Sequence, residues 1–324
     1  MRKNLKIQGP VFSIITPFKK NGNIDYKILF KNLSYYYLKG VRLFYLMFFN
    51  GRIGLLNEKE VIILNKRIAK FLKKNFKDVI YIGAGKFEGS AKDTLRSIKH
   101  LSNTGVDMFS VIFGEKYYND DQVYSYFKYL NNKTPIPLTF HLQMMMNGHG
   151  IKPPIVNYSI GLADKICSLN KVIAVKEDSK IHNFTRKIIP QIKKKVNVIR
   201  AGGGMTAWRK YKKIGCQSWL VGIELLDPSI AFDFDKALRE KNLNYLNFIE
   251  KKIEKPFFNE VKKYGWHIFI KSCLEICGFM KRYERLPLKH LSNRNHYKIK
   301  KFLDKLRKTS KNRFGKEYFK RVKI

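Results

Sequence analysis

The chain has 324 residues, of which 44% are hydrophobic and 28% are charged, so it can bury a large core and is not a disordered protein. Its 65 Lys and Arg residues against 25 Asp and Glu residues give a formal net charge of +40. No apolar run approaches the roughly 18 residues of a membrane span, and the N-terminus lacks the apolar stretch of a signal peptide. We therefore expect a cytoplasmic protein that does not enter the membrane.

Short apolar runs alternate with longer helical patterns through the first 240 residues. The runs predict strands at Val11–Thr16, Leu43–Phe49, Val79–Gly85, Met108–Phe113, Pro137–Gln143, Val172–Asp178, Val196–Gly202 and Ser218–Glu224. The patterns between and after them predict helices at Asp25–Lys39, Asn57–Lys74, Ser90–Asn103, Asp120–Leu130, Pro154–Leu169, Ile181–Lys194, Thr206–Ile214 and Pro228–Arg239. Eight strand–helix units are the count of a (β/α)8 TIM barrel, an α/β fold. A doubly wound sheet is the second choice, but it does not need eight units.

The strand patterns end near residue 240. The rest of the chain predicts helices at Leu243–Glu254, Phe257–Cys277 and His296–Lys308. We expect three regions: the barrel at residues 1–240, C-terminal helices packed on it at 241–295, and a basic helical tail at 296–324.

The large positive charge suggests nucleic acid as a partner. However, the 65 basic residues comprise 50 Lys and 15 Arg, whereas readout of bases and phosphates favours Arg. The charge is also dispersed, because residues 289–324 carry +12 and the other 288 residues still carry +28. The distribution favours a solvated basic surface over a nucleic-acid interface.

The four cysteines are too few and too scattered for a disulfide framework: Cys167, Cys216, Cys273 and Cys277. Cys273 and Cys277 share a face of a predicted helix, but no His or Cys at zinc-like spacing completes a ligand set. We expect buried free thiols and no metal.

Lys176 interrupts the apolar strand Val172–Val175, where an unpaired ammonium is costly to bury. If Ala174 points into the barrel, alternation turns Lys176 and Asp178 inward, and Val175 and Glu177 toward the helices. In a dehydrated pocket a lysine favours its neutral amine, the form that attacks a carbonyl carbon. On spacing alone, a structural ion pair between Lys176 and a nearby carboxylate is an equal alternative.

Several segments, in order and at similar spacing, resemble the dihydrodipicolinate synthase/N-acetylneuraminate lyase family of pyruvate-using class I aldolases. The similar segments are Gly9-Pro-Val-Phe-Ser-Ile-Ile-Thr-Pro-Phe18, Leu56-Asn-Glu-Lys-Glu60, Gly83-Ala-Gly85, Gly105-Val-Asp107, Val175-Lys-Glu-Asp-Ser179 and Gly265-Trp-His267 through Arg285-Leu-Pro287. The resemblance covers roughly residues 8–290. It implies a barrel lyase in which Lys176 forms an imine with a 2-keto acid, without a metal or organic cofactor.

The resemblance also suggests which residues surround the imine. The family's Gly-Thr-Thr-Gly loop, which binds the keto-acid carboxylate, falls on Phe48-Phe-Asn-Gly51, so Asn50 and Gly51 would hold that group although both threonine hydroxyls are absent. Arg52 replaces a common Glu and is either a site for a second anion or an exposed loop residue. His141 stands where the family has a proton-relaying Tyr, and it is either the proton shuttle or a structural histidine.

Position alone adds two further candidates to the substrate site. Thr16 follows the first predicted strand, and Gly203 lies in Gly202-Gly-Gly204 between the seventh strand and its helix. Glycines there allow the backbone to approach a ligand and leave helix N–H groups free. The three glycines do not form a dinucleotide fingerprint, because the G-x-G-x-x-G pattern is missing.

We therefore predict a Schiff-base lyase that condenses or cleaves a 2-keto acid such as pyruvate, or dehydrates a keto-deoxy sugar acid. The resemblance implies a homo-oligomer, commonly a tetramer. The alternative from another class is an inactive barrel kept as a binding or regulatory protein, and a nucleic-acid-binding protein ranks below it.

Overall fold

The computed structural model of the chain describes residues 5–150, 153–315 and 317–322. Eight parallel strands close into a barrel: β1 (Gly9–Ser13), β2 (Leu43–Tyr45), β3 (Ile80–Ala84), β4 (Met108–Val111), β5 (Leu138–Leu142), β8 (Val172–Glu177), β9 (Asn197–Arg200) and β10 (Ser218–Leu220). They follow one another around the barrel in chain order, and β10 pairs with β1. The predicted (β/α)8 fold is confirmed.

One helix follows each barrel strand: α1 (Tyr26–Leu38), α2 (Glu58–Asn75), α3 (Ala91–Ser102), α4 (Asp120–Lys133), α5 (Ile160–Cys167), α6 (His182–Ile192), α7 (Gly204–Lys212) and α8 (Ser229–Arg239). The N-terminus of α2 has the expected capping box, because the Asn57 side chain accepts from the Glu60 N–H and the Glu60 carboxylate accepts from the Asn57 N–H. Such reciprocal bonds satisfy N–H groups that a helix leaves unpaired at its start.

Side chains alternate between two buried layers, as barrel strands require. Val11, Ile82 and Ala174 belong to the cluster inside the barrel, whereas Val175 belongs to the larger layer between strands and helices. The inward direction predicted for Ala174 is therefore confirmed, and so is the outward direction of Val175. Alternation fixes on which side of the wall each neighbouring polar residue lies.

Several element boundaries differ from the prediction, and in two barrel units a different structure replaces part of the predicted element. The helix expected at Pro154–Leu169 begins only at Ile160, because Ile155–Val156 (β7) pairs antiparallel with Met145–Met146 (β6). The run expected at Ser218–Glu224 ends its strand at Leu220 and continues as a 3-10 turn at Ile223–Leu225. In each case a local backbone hydrogen-bond pattern replaces the longer element.

The C-terminal region is helical, as expected, but the single helix predicted at Phe257–Cys277 is two helices, because the chain breaks at Gly265, whose φ is 77°. It contains α9 (Leu243–Phe248), a π-helical segment (Ile249–Glu254), α10 (Lys255–Tyr264), α11 (Trp266–Ile276) and α12 (Asn293–Phe314). Beyond α12 the chain returns to the barrel, where Tyr318 and Phe319 are buried and the Phe319 N–H donates to Asp227 Oδ2 at 3.0 Å. The basic tail thus packs against the rest of the protein.

Two whole-chain expectations can be compared with this fold. All four cysteines are buried free thiols, as predicted. Within the described ranges, no helix combines the length and the apolar character that a membrane crossing needs.

Candidate active site

A cavity of about 670 Å³ opens at the carboxyl-terminal ends of the barrel strands, the end at which barrel enzymes carry their sites. Lys176 of β8 and Asp178, which directly follows β8, line it, and Asn50 lines it from the loop after β2. The Gly202–Gly204 loop forms one wall, and Trp266 and His267 from the start of α11 form another. The cavity therefore lies between the barrel mouth and the C-terminal helices.

Lys176 lies at the bottom of this cavity with a nearly fully buried side chain. Strand pairing places His141 of β5 directly beside it, since the two Cα atoms are register partners. Lys176 Nζ lies 2.6 Å from His141 Nε2 and 2.8 Å from Asp178 Oδ2. The chain thus brings together an amine, an imidazole and a carboxylate, and the predicted inward direction of Lys176 and Asp178 is confirmed.

The charges in this triad are set by burial and by each other. Burial lowers the pKa of Lys176 below its ordinary value, although the Asp178 carboxylate opposes the shift. Burial and the neighbouring Lys176 ammonium lower the pKa of His141 to about 4, so the imidazole is neutral at pH 7. Burial acts to raise the pKa of Asp178, but Lys176 and His141 hold it well below its usual range. Lys176 Nζ can therefore donate hydrogen bonds to both neighbours, and burial favours its neutral amine form.

The outward neighbour of Lys176 has a separate, structural role. Glu177 is fully buried between the strands and α6, where its carboxylate accepts from Ser179 and Thr185 and pairs with Arg200 at 2.9 Å. A paired and hydrogen-bonded buried charge is tolerated. Glu177 consequently faces the helices, as alternation predicted.

The loop after β2 supports the cavity, but only Asn50 of its predicted residues lines it. The Asn50 side-chain amide donates to Ser13 Oγ and accepts from Trp266 Nε1. The backbone N–H of Asn50 has no acceptor among the described residues. Thr16 and Gly51 lie behind this surface. The Thr16 hydroxyl donates to the Gly51 carbonyl, and the Gly51 N–H donates to the Met47 carbonyl at 2.7 Å. Contrary to expectation, Thr16 and Gly51 shape the loop and do not line the cavity, whereas Asn50 does.

Arg52 fits neither of the two expectations, since it is neither exposed nor part of the cavity lining. Its guanidinium is buried and bonds Glu284 at 2.7 Å, the His267 carbonyl at 2.8 Å and the Phe49 carbonyl at 3.1 Å. Lys271 pairs with the same Glu284 carboxylate. All donors of Arg52 point toward the protein, so it ties the loop to α11 and to the chain beyond it.

Gly203 lines the cavity as expected and lies at the N-terminus of α7 with a left-handed φ of 78°. Residues with a Cβ atom rarely adopt this conformation, which explains the glycine. His141 differs from the expectation in one respect: it reaches the cavity only through its contact with Lys176 Nζ.

Comparisons with known proteins identify the kind of barrel. The model of the dihydrodipicolinate synthetase family matches residues 6–306, nearly the whole chain. The chain belongs to this family. The resemblance described from the sequence is thereby confirmed.

Two curated members of the dihydrodipicolinate synthetase family are similar over most of their length. The 4-hydroxy-tetrahydrodipicolinate synthase of Karelsulcia muelleri is 27% identical over 296 residues, which cover 87% of this chain and 92% of that protein. The protein of the same name from Wigglesworthia glossinidia brevipalpis is 22% identical over 94% of this chain and 98% of its own.

Solved structures have the same fold. Dihydrodipicolinate synthase from Thermotoga maritima superposes with a TM-score of 0.79 at 18% identity, over 92% of this chain and 98% of that one. A prophage protein of the family from Escherichia coli, solved in complex with pyruvate, gives a TM-score of 0.77 at 15% identity over the same shares.

The C-terminal helices contribute cavity residues that sequence reasoning did not assign to the site. His267 faces the cavity, and burial together with the Arg52 charge lowers its pKa to about 4. Lys262 of α10 and Lys180, which lies in the loop after β8, also line the cavity. Neither lysine has a carboxylate partner within the described part of the chain. The segment Gly265-Trp-His267 resembles the family, but no local pattern in the sequence indicates that it folds over the barrel mouth.

The side chains present do not suggest a metal centre. Within residues 5–150, 153–315 and 317–322, no three His, Cys, Asp or Glu side chains are arranged to hold a metal ion. The chemistry that the arrangement offers is that of a buried amine with an adjacent neutral imidazole.

Proposed function

We propose that this member of the dihydrodipicolinate synthetase family forms an imine between Lys176 and pyruvate or another 2-keto acid, and acts as a lyase of the class I aldolase type. The observation that carries the proposal is the buried Lys176 Nζ at the bottom of the cavity, 2.6 Å from a neutral imidazole. The names of the curated relatives and the pyruvate bound to a family structure support it.

The first step needs the neutral amine of Lys176. Burial favours that form, and the amine adds to the C2 carbonyl carbon of the keto acid to give a carbinolamine. Loss of the hydroxyl as water needs a proton at that oxygen and the removal of one from nitrogen. His141 is within hydrogen-bond distance of Nζ, which supports it as the shuttle for these protons.

The imine withdraws electrons from the neighbouring C3, so a proton leaves C3 and an enamine forms. The enamine attacks an aldehyde carbon, a C–C bond forms, and water then releases the product from Lys176. The same steps reversed cleave a C–C bond. The backbone N–H and the side-chain amide of Asn50, which lines the cavity, support a role for this residue in binding the carboxylate of the keto acid.

Lys180 and Lys262 support a substrate that carries a further negative charge. Both ammonium groups border the opening and lack carboxylate partners among the described residues, whereas Arg52 has no donor left for a ligand. A dicarboxylic 2-keto acid should therefore compete with pyruvate more strongly at low salt than in 0.5 M salt, about the concentration that removes such steering. Lys262→Gln should weaken this preference, and Lys263→Gln, whose side chain pairs with Glu260, should leave it unchanged.

Borohydride reduction in the presence of pyruvate tests the proposed function. We expect one reduced pyruvate adduct per chain, located at Lys176 by peptide mass spectrometry, and none in Lys176→Arg. An unmodified wild-type chain with every 2-keto acid tried would contradict the mechanism and favour an inactive binding barrel.

We further propose that the protein is a cytoplasmic homo-oligomer that does not bind nucleic acid. The family membership supports the first part, and the dispersed Lys-rich charge supports the second. Light scattering at several concentrations measures the mass in solution, and salt-dependent retention on DNA measures the binding of nucleic acid.

A further inference from the structure

The N-terminus of α7 is capped by a residue from a distant part of the chain. Its N-cap residue is Gly203, which has no side chain to accept the first N–H groups. Instead, Glu254 Oε1 accepts from the Met205 N–H at 2.7 Å, and Oε2 accepts from the Thr206 N–H at 2.9 Å and from the Thr206 hydroxyl. A carboxyl group is thus bound where a helix leaves N–H groups unpaired.

Glu254 is placed there by the π-helical segment Ile249–Glu254, of which it is the last residue. The approach is close enough that a Cβ atom on Gly204 would collide with Glu254 Oε1. One turn further along, the Phe258 ring lies 3.2 Å from the point at which a Cβ atom would stand if Gly204 or Gly222 were replaced by a larger residue. The C-terminal helices therefore press on two glycine loops that line the cavity.

The second loop is held by a second buried carboxyl group. Glu224 is fully buried, and it accepts from Trp219 Nε1 at 2.8 Å and from the Gly222 N–H at 2.6 Å. The described residues place no Lys, Arg or His side chain within ion-pair distance of Glu224 or Glu254. Burial and the nearby Glu224 charge raise the pKa of Glu254 to about 8.

The other charged groups of this contact lie at its solvent side. Arg209 of α7 pairs with Glu250 at 2.8 Å. An open groove beside the π-helical segment is bordered by Lys251 and Lys252 of that segment and by Lys305 of α12. The groups that face the Glu254 carboxyl group itself are Glu224, the Thr206 hydroxyl and the N–H groups of α7.

We propose that Glu254 is a positioning residue that holds the N-terminus of α7, and with it the Gly202–Gly204 wall, in the geometry that closes the cavity around a keto acid on Lys176. The inference rests on the proposed function, because it assigns Glu254 a part in that reaction. When the carboxyl pair loses its proton near pH 8, two buried negative charges face each other. Their repulsion loosens the wall and weakens the binding of the keto acid.

Glu254→Gln tests the proposal, because it retains the size of the side chain and removes the titratable group. Amide hydrogen exchange at pH 7 should be roughly tenfold or more faster at Met205 or Thr206, because the single oxygen of the Gln amide can accept from only one of these two N–H groups. The matched control is Glu250→Gln, which changes a carboxylate of the same segment that contacts the same helix at the solvent side. Exchange as slow as in the wild-type protein would overturn the proposal.

The pyruvate concentration that half-saturates borohydride trapping gives a second readout that a merely structural cap would not change. In the wild-type protein and in Glu250→Gln it should rise above about pH 8, and in Glu254→Gln it should be raised and independent of pH in this range. Thr206→Val removes a hydrogen bond that lowers the pKa of Glu254, so the rise should move to higher pH. This milder variant decides the question if Glu254→Gln does not fold, and an unmoved rise in it would overturn the proposal.

The two proposals fail in different ways. If the wild-type chain forms no adduct with pyruvate or another 2-keto acid, the proposed function is wrong, and the exchange experiment still tests the contact between Glu254 and α7. If trapping occurs but its pH dependence is the same in Glu254→Gln, the proposed function stands and Glu254 has no part in it.

Discussion

The surroundings of Lys176 Nζ are set by residues of its own strand segment and of the neighbouring strand. His141 is the register partner of Lys176, and Asp178 is the first residue after β8. Because side chains two residues apart in extended chain point to the same side, Lys176 and Asp178 both face the cavity, and the parallel register puts the imidazole beside them. The ion pair between Lys176 and a nearby carboxylate, which the sequence left as an alternative, is present with Asp178. Lys176 nevertheless lines a cavity that is large enough for a small substrate.

His141→Phe removes the only imidazole in contact with Nζ among the described residues and keeps a ring of similar size. We expect the rate of adduct formation at saturating pyruvate to fall by about 10²-fold, the usual scale of lost general acid–base assistance. The pyruvate concentration that half-saturates trapping should hardly change. His100→Gln, on the exposed side of α3, serves as the control. An unchanged rate would assign His141 a structural role.

Asp178→Asn should change the pH dependence of the same reaction. The Asp178 carboxylate raises the pKa of Lys176, so its removal lowers that pKa further and leaves more neutral amine at acidic pH. The acidic limb of the trapping rate should therefore move to lower pH by about one unit or more. Asp121→Asn, which changes an exposed carboxylate on α4, should leave the limb in place. A shift toward higher pH would contradict the assigned charges.

At the scale of elements, the loop after β2 and the start of α11 are fastened by Arg52. The guanidinium bonds Glu284 and the Phe49 and His267 carbonyls, and every one of these groups is buried or partly buried. Breaking a buried ion pair costs far more than losing an exposed one, because an uncompensated charge remains. The geometry of the loop after β2 thus depends on contacts with the C-terminal helices and the chain beyond them.

Arg52→Met should lower the free energy of unfolding by about 3 kcal/mol, as expected when one partner of a buried pair is lost. It should also weaken pyruvate binding, since the Phe49 carbonyl loses its anchor. Urea denaturation measures the first effect, and concentration-dependent trapping measures the second. Lys263→Met removes an exposed ion pair and should change the stability by less than about 0.5 kcal/mol. Equal stability of the two variants would refute the anchoring role.

The alternation of elements, the barrel and the direction of Lys176 could be predicted because each follows from a local period in the sequence. The role of Arg52 could not, since it depends on Glu284, which lies 232 residues away. The cap of α7 by Glu254 bridges 49 residues and replaces the local cap that Gly203 lacks. The late start of α5 depends on a hairpin with the Met145–Met146 strand, which the helical pattern of Pro154–Leu169 conceals.

At the scale of the whole molecule, the charge and the tail need to be separated. The +40 charge suggested nucleic acid as a partner, and residues 289–324 carry +12 of it. The structure buries one side of this region, namely Ile299, Leu303, Leu306, Tyr318 and Phe319, while most of its lysines face solvent. The apolar residues are part of the core, and the lysines add a diffuse positive field that salt screens.

Deletion of residues 293–324 should therefore unfold or severely destabilise the protein. Each buried apolar side chain of the tail contributes about 1.5–3 kcal/mol, and five of them together approach the total stability of a typical domain, about 5–15 kcal/mol. Changing the exposed Lys298, Lys300 and Lys308 to Gln should leave the melting temperature within a few degrees of the wild-type value, about the scale of surface changes. Calorimetry of the two variants separates the contribution of the buried side chains from that of the charges.

A stable deletion variant would show instead that the tail is an independent appendage. If the wild-type protein showed steeply salt-dependent retention on DNA and the Gln variant lost it, nucleic acid would return to consideration as a partner.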